Sequence, residues 1–209
     1  MSYWADVIFV LIVVLNLGLL SSSRLGNCIR LVAIEGALLG LLPLLLQGGQ
    51  PEGRTFVFAL GSILVKGIIL PLMLNWAVRE ANIFREVEPF IGYTVSMVIG
   101  VVLLIVSFWI SARLVLPIEV SRLAVSTALF TILVGLFLIV SRKKAITQAL
   151  SYLVMENGIF IFGTMAVALE TSFMGIIIFH INRQFEHIDM DQLASLKDWH
   201  GTRHSEERT

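Results

Sequence analysis

The chain has 209 residues, 57% hydrophobic and only 14% charged, with a formal net charge of zero and a mean hydropathy of +0.89. A soluble globular domain carries about 25% charged residues, so this composition excludes that class and reads as an integral membrane protein surrounded by lipid. The balanced charge also excludes the basic footprint of a nucleic-acid partner.

Apolar runs predict membrane-crossing helices over roughly 3–20, 28–47, 55–78, 91–111, 122–141 and 146–169, followed by a shorter apolar piece at 173–182. The six long runs match the about 20 residues that cross a hydrocarbon core. Helices are expected because lipid offers the backbone no hydrogen-bond partners and the runs lack the two-residue alternation of a barrel strand. The predicted fold class is therefore all-α: a polytopic helical membrane protein with six full transmembrane helices and a shortened or fused seventh. Residues 1–182 form the transmembrane bundle and 183–209 a polar C-terminal tail.

No positive charge precedes the first run and Arg24 follows it, the reverse of a secretory signal, so this run is expected to stay as a helix. Cys28 is the single cysteine, which excludes an internal disulfide and a cysteine-held cluster in this chain alone. In the second run Glu35 stands near the middle of CIRLVAIEGALLGLLPLLLQ, too deep to snorkel to the interface. Its neighbours Gly36 and Gly40 make a G-x-x-x-G face that lets another helix approach closely.

The third run, TFVFALGSILVKGIILPLMLNWAV, centres on Lys66. Pro71 lies five residues later and, in an ordinary α-helix, deprives the Gly67 carbonyl of its donor. In the sixth, Glu156 sits in YLVMENG beside Asn157, whose amide can donate and accept and so suits binding water. Glu170, nearly four turns further, reads as an interfacial carboxylate. The 173–182 piece covers about half the hydrocarbon thickness. Beyond it, His200 and His204 have the i, i+4 spacing of a helical metal pair, but in a Gly-containing polar tail they read as solvated, and no metal is assigned.

Cytoplasmic loops are rich in Lys and Arg. With the N-terminus outside, the inner loops carry Arg24, Arg30, Arg79, Arg85, Arg142, Lys143 and Lys144, and the outer ones Arg54, Arg113 and Arg122. The same rule puts the tail, with Arg183, Lys197, Arg203 and Arg208, on the cytoplasmic side.

A charge at mid-bilayer costs roughly 2.5–3.5 kcal/mol unless it pairs or meets water, so Glu35, Lys66 and Glu156 are the candidate proton-relay residues, with Asn157 as a water-binding helper. Lying at similar depth on different helices, they define a line in the membrane plane rather than across it. The bland alternative is a static Lys–Glu pair that fixes helix order. No internal repeat marks a stand-alone transporter, although that class remains open. Neither HExxH nor GxSxG occurs, so an enzyme acting alone is not expected.

The stretches IEGALLG, LVKGIILPLMLNWAVRE, RKKAITQALSYLVMENGIF and FHINRQFEHIDMDQLASLKDW, in this order, resemble the hydrogenase-4 component E family. Residues 1–80 are similar to the three-helix chain 4L subunit of respiratory complex I. The resemblance covers most of the chain and implies a non-catalytic subunit in the prokaryotic inner membrane, packed among antiporter-like and other membrane-arm subunits. Nickel–iron and iron–sulfur centres would then belong to partner subunits, and this chain would bind no cofactor. By motif, Glu35 resembles the second-helix glutamate of chain 4L, while Lys66 stands where that protein has another glutamate. A second departure is that ALETS runs almost directly into FMGIIIFHIN, where the family pattern has about one further helix.

Overall fold

The computed structural model describes residues 3–46, 53–80, 92–114, 121–167 and 174. The chain divides into a unit Met1–Ala168, which holds everything discussed below, and a unit Leu169–Thr209, of which residue 174 alone is described. Apart from that residue, the predicted seventh element, Glu170, the tail and its histidines lie outside the described residues.

Among the described residues, six helices are long and apolar enough to cross a membrane: α1 Tyr3–Ser21, α2 Leu25–Leu46, α3 Gly53–Glu80, α4 Tyr93–Arg113, α5 Arg122–Ser141 and α6 Ala145–Val167. The protein is thus all-helical and multi-pass, and no β-strand occurs among the described residues. Helix α2 begins three residues before the predicted start. The Arg24 carbonyl accepts the Cys28 amide, drawing the polar NCIR segment into the first turns. Hydropathy marks where hydrocarbon begins, whereas helical hydrogen bonding continues through the interface, so real helices overrun their apolar runs.

Helix α1 packs on α2, α4 and α5, α4 packs on α5, and α3 lies along α2. Two buried apolar clusters occupy successive levels of the bundle formed by α1, α2, α5 and α6. One contains Leu19, Ile29, Val32, Val134, Leu138 and Val154, and the other Phe9, Ile12, Leu39, Ala128, Ile161 and Met165. On α1, α2 and α6 the polar residues treated below fall between the two clusters.

Close approach is set by glycines. A Cβ on Gly36 would stand 2.8 Å from the Lys66 Cβ and 2.9 Å from its carbonyl oxygen, and one on Gly40 would collide with Ile63. The predicted G-x-x-x-G face is therefore the seam on which α3 rests. The α5–α6 pair uses the same device: a Cβ on Gly135 would lie 2.5 Å from the Met155 nitrogen, and one on Gly158 2.8 Å from the Ile132 nitrogen. Without a hydrophobic drive between helices in lipid, such backbone proximity is what makes van der Waals packing strong enough to hold them.

Hydroxyl side chains follow the same economy. Ser107, Ser126, Thr131 and Ser151 each donate to the carbonyl four residues back on their own helix, at 2.7–2.8 Å. That contact satisfies the donor where lipid cannot.

Candidate functional site

Lys66 lies inside a π-helical stretch of α3, Ile63–Ile69, in which the Leu70 amide bonds to the Val65 carbonyl five residues back. The next pairing in this register would run from residue 71 to the Lys66 carbonyl, and proline has no amide to give. In this register the carbonyl that Pro71 leaves without a donor is that of Lys66, where an α-helical register would make it that of Gly67. The wider turn inserts one extra residue and turns the side chains on either side of it relative to each other. Such interruptions recur at functional positions.

From that turn the Lys66 ammonium reaches α6. Its Nζ lies 2.9 Å from Glu156 Oε1 and donates to Asn157 Oδ1 at 3.2 Å. The Phe160 ring, one turn along α6, stands 5.0 Å from the same nitrogen and stacks on Phe58 of α3 with ring centroids 6.1 Å apart. Carboxylate, amide oxygen and ring face thus surround the cation on three sides, the strongest kind of pairing available away from water.

Glu35 sits on the opposite side of Asn157 and is fully buried. Its Oε1 accepts from Asn16 Nδ2 at 3.2 Å. The two protons of the same Asn16 nitrogen are shared with the Ile12 carbonyl at 3.0 Å and Thr131 Oγ1 at 3.2 Å. The Asn157 amide and the Lys66 charge both lie within interaction range of the Glu35 carboxyl. Even so, Glu35 Oε2 and Asn157 Nδ2 each lack a geometrically formed hydrogen bond.

The structure therefore brings all four sequence-predicted residues together. It joins Lys66 and Glu156 directly, and places Asn157 between Lys66 and Glu35. Five helices contribute to one layer: Asn16 from α1, Glu35 from α2, Lys66 from α3, Thr131 from α5, and Glu156 with Asn157 from α6. Above and below, the two apolar clusters close the bundle. The way out is sideways: the Lys66 side chain is 12% exposed and that of Glu156 42%, so the layer opens at the α3–α6 edge of the chain.

No family model matches the chain. A protein of Mycobacterium tuberculosis described as "Uncharacterized protein Rv0085" is 28% identical over 188 residues, covering 81% of this chain and 85% of the relative. No solved structure matches.

Sequence reasoning missed Asn16 and Thr131. A side-chain amide within the apolar run FVLIVVLNLGLL was the available signal for the first, because an unpaired amide in an apolar medium is costly. Thr131 gave none, since a mid-helix threonine ordinarily satisfies itself on its own backbone, and this one does so while also accepting from Asn16. Among the described residues no group of three or more His, Cys, Asp and Glu side chains is placed to hold a metal ion.

Proposed function

We propose that this chain is a non-catalytic membrane-arm subunit of a hydrogenase-4-like, complex I-related assembly, in which it contributes to proton or sodium translocation driven by redox chemistry in partner subunits. The observation that carries this reading is the polar layer of Glu35, Asn157, Lys66 and Glu156. It is closed along the bundle axis by apolar side chains and open laterally at a half-exposed carboxylate. An ion pair facing hydrocarbon at mid-depth is costly, and a neighbouring membrane subunit or a hydrated interface covering the α3–α6 edge relieves that cost. The lateral line also has the geometry that the resemblance implies, with antiporter-like subunits as neighbours.

In this role Lys66 and Glu156 share a proton across their 2.9 Å contact, Asn157 links Lys66 to Glu35, and Glu35 is the terminal group of the line. On this reading the chain holds no redox centre; nickel–iron and iron–sulfur groups belong to partners. The membrane is the prokaryotic inner membrane, with the N-terminus outside. A scaffold role draws on the same ion pair, because a static Lys–Glu contact also fixes helix order.

One substitution separates the two. Glu156→Gln keeps the shape and the hydrogen-bond acceptor but removes titration. In the assembled complex the relay reading expects intact assembly and intact hydrogen oxidation with an artificial acceptor, together with loss of proton pumping in proteoliposomes. Unaltered pumping in assembled complex refutes the relay, and lost assembly favours the scaffold.

A further inference from the structure

We propose that Asn16, locked in orientation by Thr131, is the positioning residue that decides which oxygen of Glu35 carries an exchangeable proton. The proposal rests on the reading above only in treating Glu35 as a proton-exchanging group.

The argument is a chain of commitments. The Thr131 hydroxyl donates its one proton to the Thr127 carbonyl at 2.8 Å, so towards Asn16 its oxygen can only accept. The Ile12 carbonyl, which also faces Asn16, is an acceptor by nature. Two acceptors on one side of the amide fix its orientation: rotated by half a turn, Asn16 would set its own oxygen against both. The NH2 group is therefore held inward, where its two protons are shared among the Ile12 carbonyl, Thr131 Oγ1 and Glu35 Oε1.

That donation makes the two oxygens of Glu35 unequal. Oε1 is the carbonyl-type acceptor, engaged from the α1 side. Oε2 is buried without a formed hydrogen bond, with the Asn157 amide in range of the carboxyl, and is the oxygen left to hold the proton. Asn157 and Lys66 stand within interaction range of this carboxyl, and Glu156 is bonded to Lys66, so the exchangeable proton belongs to the same layer as the ion pair. Removing the Asn16 donor would equalise the two oxygens and let the carboxyl rotate, without touching the Lys66–Glu156 contact.

Infrared spectroscopy of the full chain in lipid vesicles, with carbon-13 glutamate and a pH titration, reads this directly. The protonated Glu35 carbonyl band is identified by its loss in Glu35→Gln. Asn16→Leu should shift that band to higher wavenumber, because the C=O loses its hydrogen-bond donor. Thr131→Val should shift it in the same direction by less, and Thr131→Ser should restore the original position, which a merely space-filling role would not produce. A band that stays in place in both Asn16→Leu and Thr131→Val overturns the proposal, and so does the lack of any Glu35 band in the wild-type chain. The Glu156→Gln pumping assay tests the relay reading independently, so either can fail without the other.

Discussion

Glu35 and Asn157 face each other across the α2–α6 boundary, and each keeps one buried atom without a hydrogen bond, Oε2 on the acid and Nδ2 on the amide. A small rotation of either side chain joins the Asn16–Glu35 half of the layer to the Lys66–Glu156 half. Asn157 already accepts from Lys66 on its other side, so among the described residues its amide stands between the two halves.

Replacing that amide should therefore separate coupling from folding. In Asn157→Leu the Lys66–Glu156 pair survives and the lost hydrogen bonds cost about 1–2 kcal/mol in a membrane interior. Ion translocation should fall by about tenfold, the rate equivalent of one such bond. Proton flux in proteoliposomes, compared with the amount of folded protein, checks it; an unchanged rate would show that Asn157 is only packing.

Lys66→Met strands the Glu156 carboxylate at mid-depth. The expected destabilisation is about 2–3 kcal/mol, the cost of an unpaired charge at a helix centre. The double variant Lys66→Met with Glu156→Met should recover most of it, because replacing both partners by apolar groups removes the unpaired charge as well as the pair. Unfolding in mixed micelles measures both. If the double variant folds yet translocates at the wild-type rate, the ion pair is structural.

The glycines should divide sharply. Gly36→Ala forces the α2–α3 seam apart against the Lys66 backbone, and Gly135→Ala does the same to α5 and α6 at Met155, each at a cost of about 1–3 kcal/mol. Gly163→Ala meets no atom within 4 Å and should be neutral or stabilising by up to about 1 kcal/mol through helix propensity. Thermal aggregation of the three variants in one detergent ranks them.

Phe160→Leu keeps apolar volume but removes the ring beneath Lys66 and the stack on Phe58. A loss of about 0.5–1 kcal/mol is expected, with assembly retained. A double-mutant cycle with Lys66→Met gives the coupling between the two side chains, and zero coupling removes the cation–ring contact from the account.

Much of the site is legible in the amino-acid sequence because depth is a one-dimensional quantity. Counting residues at about 1.5 Å each places Glu35, Lys66 and Glu156 near the middle of their runs, and the structure finds them in one layer. The G-x-x-x-G pattern likewise points to a close helix contact beside Glu35. The sequence could not show that Lys66 meets Glu156 and Asn157 rather than Glu35 alone, or that Asn16 and Thr131 complete the layer.

The amino-acid sequence by itself determined the all-helical, multi-pass class, the six spans and the level of the charges, because hydrocarbon thickness and backbone hydrogen bonding act along each segment separately. Only the tertiary structure decided azimuth. These helices are apolar around most of their circumference, so no polar face announces which side turns inward. Facing is instead chosen where Gly36, Gly40, Gly135 and Gly158 let backbones touch, and where the π turn at Ile63–Ile69 reorients α3. Those contacts join residues up to 115 positions apart, as between Asn16 and Thr131, and exist only once the helices have packed.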